Sequence, residues 1–316
     1  MKKLITIISI LFSMSFSWGN DSFQTDFLKR EGLTITQLNY KWSGFNNVNH
    51  SISFNLDKSE LRDSYVDFKK PNKRDAFVYI LEFMKNDVNV INKNQNRFKI
   101  ELLDNETDYT FSYKVNGDIS NHEMAKITNA LDNRQNVHMK NFFKRNYFIW
   151  NESSELISID YLRLSDLYTP KMSSVANAFK IKNNKDVYNR RLVINDVLSF
   201  YQSIPYDTLE ENRGEGFSTP LKFLDENKGD CDTKLVAINA TLKSIYPDIK
   251  TIAIVLPNHV LLGVSIEPKN TDKKISVGGV TYVLSETAGP ALIPLGVIDP
   301  RNTTVIKSRN YSIISL

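Results

Sequence analysis

The chain has 316 residues, enough for two average domains, and its 41% hydrophobic and 24% charged residues exclude a disordered or fibrous protein. Lys and Arg number 40 against 36 Asp and Glu, a net charge of +4 with both signs interspersed, which leaves no basic footprint for nucleic acid. A single cysteine, Cys231, excludes an intramolecular disulfide and a Cys-rich zinc site.

Residues 1–19 read as a secretory signal: Lys2-Lys3, an apolar run over 4–16, then Ser17-Trp18-Gly19 at a signal-peptidase site. The run is shorter than the roughly 20 residues that span a bilayer, and no later segment matches it in length and apolarity. The expectation is an exported protein, periplasmic or secreted, with no stable membrane anchor after cleavage. An unpaired cysteine is uncommon outside the cytoplasm, where thiols are usually paired or absent.

Residues 20–164 are expected to form a smaller N-terminal α+β domain of unknown role. Residues 34–38, 51–56, 98–103 and 109–115 alternate with the period of half-buried strands, and 75–84 and 122–131 carry helical patterns. His50, His122 and His138 are polar-flanked and read as surface residues. The cluster Phe142, Phe143, Tyr147, Phe148 and Trp150 reads as core.

Residues 165–316 are expected to form the second domain. A helix over 186–203 ends at Ile204-Pro205, because the residue before a proline avoids helical geometry. A polar stretch over 207–228 leads to Gly229-Asp230-Cys231-Asp232 and a helix running to about residue 246. Cys231, Leu235, Ile238, Leu242 and Ile245 share one apolar face, so Cys231 opens a buried helix in its first turn. There the unpaired backbone N–H groups and the helix dipole favour a thiolate and can bind an oxyanion. Asp230 reads as the N-cap, and Asp232 favours the dipole while opposing a thiolate.

A nucleophilic thiol needs a base and a group to orient that base. Residues 251–256, 259–266 and 280–286 are strand-like. If the last two pair antiparallel with Glu286 opposite His259, both side chains lie on one face, within contact distance.

Lys228-Gly229-Asp230-Cys231-Asp232-Thr233-Lys234, with Thr219-Pro220 upstream, resembles the Gly-Asp-Cys segment of bacterial transglutaminase-like cysteine peptidases. Asn258-His259-Val260-Leu261-Leu262-Gly263-Val264 is similar to the histidine strand of that family. Tyr282-Val283-Leu284-Ser285-Glu286-Thr287 matches the place of its acid, and Phe200-Tyr201-Gln202-Ser203-Ile204-Pro205-Tyr206 its helix end and Pro-Tyr turn. Glu286 stands where the family commonly has Asp, Val260-Leu261 replaces an aromatic, and Asp299 is a rival acid.

The resemblance, over residues 165–300, implies a papain/transglutaminase-like core in which a Cys-bearing helix packs on an antiparallel sheet. It implies a triad of Cys231, His259 and Glu286 acting on a protein or peptide substrate. Gln202, Tyr206 and Asp230 are the candidates for holding oxyanion or substrate, beside the Cys231 backbone N–H. No cofactor or metal is implied. Hydrolysis of peptide or amide bonds through a thioester is the leading expectation. The alternatives are a crosslinking transglutaminase and a non-catalytic envelope binding protein that retains the fold.

Overall fold

The computed structural model describes residues 23–65, 72–151, 156–207, 217–257, 259–289 and 292–316. The expected signal peptide, 1–19, lies outside the described residues, as do Asn258 and residues 208–216 of the polar stretch.

Strands β1 (Gln24–Glu31), β2 (Ile35–Ser43) and β3 (Asn49–Asp57) form an antiparallel sheet in that order. Alternation turns Leu38, Tyr40 and Trp42 of β2 and Ile52, Phe54 and Leu56 of β3 into one buried face. Helix α1 (Lys58–Asp63) follows, capped by the Asp57 carboxylate, which accepts the N–H groups of Ser59 and Glu60.

The next elements are α2 (Lys73–Lys93), β4 (Phe98–Asn105), β5 (Thr110–Gly117), α3 (Asn121–Arg145), β6 (Phe148–Asn151) and β7 (Leu156–Ile159). β4–β5 and β6–β7 are two-stranded antiparallel ribbons. Ser120 caps α3 with Glu123 three residues on, the spacing of a capping box. The core of this part joins Phe77, Ile80 and Met84 of α2 to Ile100, Phe111, Leu131, Phe142 and Phe143. His138 is buried here, its Nε2 2.7 Å from Asp87 Oδ2, which corrects its reading as a surface residue. Its slot on the α3 core face places the ring inside, and the carboxylate satisfies it.

The chain continues through α4 (Tyr161–Tyr168), α5 (Ser173–Lys182), α6 (Arg190–Ser203), α7 (Pro220–Glu226) and α8 (Cys231–Ile245). It closes with β8 (Thr251–Leu256), β9 (His259–Val264), β10 (Lys274–Val277), β11 (Val280–Glu286), α9 (Pro300–Lys307) and β12 (Ser312–Ser315). The last five strands form one sheet in the order β10-β11-β9-β8-β12, every neighbouring pair antiparallel. The class is therefore α+β. Helix α8 packs against α4, α5, α6, α7 and β9. Leu235, Val236, Ala237, Ile238, Ala240 and Leu242 are all fully buried, so α8 is enclosed on every side. Each large aliphatic side chain so placed contributes about 1.5–3 kcal/mol.

The chain divides differently from the expected boundary at 164/165. Described residues 72–160 form one compact unit, and 23–65 together with 161–316 form the other. The cause is the apolar face of the first sheet, which belongs to the core of the Cys-bearing unit. Tyr40 meets Phe200 of α6 edge-on at 4.9 Å between ring centroids, and Trp42 Nε1 donates to Ser199 Oγ at 3.0 Å. The Tyr40 hydroxyl donates to the Leu224 carbonyl of α7 at 2.5 Å. His50, also expected on the surface, is only partly exposed and stacks on Trp42 at 5.2 Å. Among the described residues no helix is long and apolar enough to cross a membrane.

Candidate active site

Cys231 is the first residue of α8, and the helix starts there because Asp230 caps it, with Oδ1 accepting the Thr233 N–H at 2.9 Å. Gly229 just upstream is packed so closely that a Cβ would lie 2.6 Å from the Phe223 ring. Its N–H donates to Pro205 O at 3.2 Å and its carbonyl accepts the Asp207 N–H at 3.1 Å, so the Pro-Tyr turn runs alongside the start of α8.

Cys231 as a residue is partly exposed. Desolvation pushes its thiol well above the ordinary value, and the carboxylates of Asp232 and then Asp230 push it further. The backbone N–H groups at the helix start oppose the shift without cancelling it. The dipole is thus outweighed, and burial weighs against the thiolate. Tyr161 donates its hydroxyl to Asp232 Oδ1 at 2.5 Å and holds that carboxylate in place. Burial also raises the Asp230 carboxyl, and it pushes the fully buried Lys234 ammonium down to about 7. Lys234 Nζ donates to Ile204 O at 2.5 Å, tying α8 to the end of α6.

His259 opens β9 and Glu286 closes β11, and His259 Nε2 lies 2.6 Å from Glu286 Oε2. The register differs from the expected one. Glu286 stands opposite Leu261, two residues beyond His259. A shift of two preserves the face, and a glutamate is long enough to reach the diagonal neighbour, about 7–8 Å away between backbones.

Glu286 is 3% exposed and fully engaged. Its Oε1 accepts the Asp299 backbone N–H and Asn302 Nδ2, each at 2.8 Å. Burial raises its carboxyl, but the hydrogen bond and charge of His259, with those two donors, outweigh it and hold the group below its ordinary value. Asp299 brings its backbone rather than its carboxylate to the pair. Its carboxylate caps α9 and is held by Arg301 Nε and Nη2 at 3.0 and 2.9 Å.

Thr287 joins the pair to the cysteine. Its hydroxyl lies 3.1 Å from Val260 O and 3.4 Å from Cys231 O, a donor shared between the start of β9 and the start of α8. Because Nε2 of His259 faces the carboxylate, the ring nitrogen left for proton exchange is Nδ1.

The oxyanion candidates fare differently. Gln202 is buried, with Nε2 donating to the carbonyls of Glu286 and Ile293 at 3.0 Å each and Oε1 accepting the Ile293 N–H at 2.9 Å. Both amide hydrogens are consumed, so Gln202 is corrected from oxyanion donor to a brace between α6 and the end of β11. Asp230 is the helix cap that the sequence pointed to, its Oδ1 accepting the Thr233 N–H. Tyr206 is 48% exposed, with its backbone bridged to Gly229.

Sequence reasoning missed Asn302, Thr287 and Tyr161. Asp299-Pro300 is a readable helix start, and it predicts α9. Nothing local signals that the third residue of that helix reaches Glu286.

Among the described residues no group of three or more His, Cys, Asp and Glu is placed to hold a metal ion. Comparison with protein-family models, with curated proteins and with solved structures finds no match.

Proposed function

We propose that this chain is a cysteine peptidase or amidase of papain/transglutaminase-like architecture, with Cys231 as nucleophile, His259 as base and Glu286 as the orienting acid. One observation carries the reading: a buried carboxylate hydrogen-bonded at 2.6 Å to a partly exposed imidazole, on strands stapled through Thr287 to the helix that begins at Cys231.

Because burial weighs against a free thiolate, His259 takes the thiol proton as Cys231 attacks an amide or ester carbonyl. Glu286 holds Nε2–H and supports the imidazolium, leaving Nδ1 to accept that proton. The developing oxyanion falls to the Cys231 backbone N–H at the helix start. His259 then protonates the leaving amine, and water resolves the thioester, with the imidazole again accepting a proton. A protein or peptide substrate fits a nucleophile on a partly exposed helix start. The reading of residues 1–19 as a signal places the activity in the periplasm or outside the cell.

Incubation with a peptide library, with and without an added primary amine, tests this. Cleavage abolished by Cys231→Ala and His259→Ala supports the peptidase. Amine incorporation in place of cleavage identifies a transglutaminase. Alkylation of Cys231 at the rate of a free thiol, unchanged by His259→Ala, overturns both and leaves a binding protein.

A further inference from the structure

We propose that Asn302 is a positioning residue for the His259–Glu286 pair, locking the carboxylate so that one oxygen is reserved for the imidazole; this rests on the cysteine-peptidase reading.

The geometry is explicit. Glu286 has two oxygens and three donors: Oε2 meets His259 Nε2 at 2.6 Å, and Oε1 meets Asp299 N and Asn302 Nδ2 at 2.8 Å each. Two donors on the far oxygen fix the carboxylate plane, and with it the direction from which the near oxygen addresses the ring. Such restraint is needed because Glu286 reaches His259 along a diagonal with a side chain longer by one rotatable bond than aspartate. The Asp299 N–H is set by the backbone, so Asn302 is the side chain through which α9 adjusts the pair. Two charged side chains also act on the pair through space, the Asp299 carboxylate on His259 and the Arg301 guanidinium on Glu286. His259 is the carboxylate's partner, and Asp299 and Arg301 neutralise one another at 2.9 Å.

The test uses the full chain and two readouts that need no substrate: NMR titration of the His259 ring, and the rate of Cys231 alkylation by iodoacetamide against pH. Asn302→Ala is expected to move the NMR response of the His259 ring, because a loosened carboxylate supports the imidazolium less. It also slows alkylation several-fold. Asn302→Asp sets an acceptor where a donor was and is expected to be worse than Asn302→Ala at pH 7. Relative to wild type it recovers at pH 5, where the two carboxyls share a proton and the introduced one donates again. Asn302→Gln keeps an amide donor and stays close to wild type in both readouts.

A residue of purely structural role lowers the melting temperature without moving the His259 titration or producing the pH reversal in Asn302→Asp. That result overturns the proposal, as does an unchanged His259 titration in Asn302→Ala. If Asn302→Ala does not fold, the Asn302→Asp and Asn302→Gln pair decides. Failure of the peptidase reading is separately visible, as alkylation indifferent to His259→Ala while the NMR titration still answers for Asn302.

Discussion

Glu286 reaches His259 along a diagonal of the β9–β11 ladder, at 2.6 Å, while Leu261 occupies the position directly opposite. The side-chain length of a glutamate is therefore a requirement of the register.

Glu286→Asp shortens that reach by one methylene and is expected to lower kcat/KM on a cleaved peptide by about 10²-fold or more, with little change in KM. Steady-state kinetics on the peptide found in the library screen measure it. An unchanged rate means that the diagonal contact is not the working one.

Glu286 also contributes to acid stability. Its carboxyl is held below the ordinary 4.5, so its stabilising contribution is complete above that pH and is lost as pH falls through the depressed folded value. Glu286→Gln is expected to flatten this part of the acid limb, read as urea midpoints between pH 5 and pH 2. A limb identical to wild type would show that other carboxylates set it.

Asp232 raises the Cys231 thiol, so Asp232→Asn is expected to lower the thiol pKa and to speed alkylation at pH 7 by several-fold to about tenfold. The wild-type rate is expected to climb toward alkaline pH without a neutral plateau. A plateau near pH 7 in the wild type would mean a resting thiolate–imidazolium pair.

Lys234 is fully buried and its ammonium is pushed down to about 7. Between that value and its ordinary 10.5 the unfolded chain binds more protons, so this residue makes stability rise with pH across the window. Lys234→Met is expected to stabilise by about 1–4 kcal/mol, more at pH 6 than at pH 9. Thermal melts at the two pH values check it, and a larger gain at pH 9 contradicts it.

A fragment of residues 165–316, the domain suggested by pattern alone, is expected not to fold. It lacks Tyr40, Trp42 and Phe54, and so exposes Phe200 and removes the donor to Leu224 O. Near-UV circular dichroism and amide dispersion in NMR spectra read the outcome. A cooperatively folded fragment would show the first sheet to be dispensable.

Much of the candidate site was legible in residue order. The Asp230 cap, the helix from Cys231 and the strands at 251–256 and 280–286 follow from spacing, because capping and periodicity act within a few residues. The parity of the register was legible too, since a slip of two leaves every side chain on its own face.

What only the tertiary structure decided depends on contacts between distant segments. The sheet at 24–57 belongs with Phe200 because two apolar faces meet there, and the intervening unit hides this from any reading along the chain. Gln202 is spent on backbone groups some 90 residues away, and Gly289 lies where a Cβ would collide with the Gln202 carbonyl. The thiol's acidity was left open by sequence, where dipole and carboxylates oppose one another. Burial, which no local pattern reports, weighs against the thiolate. Local chemistry thus determined which side chains are suited to the work, and packing determined which of them meet.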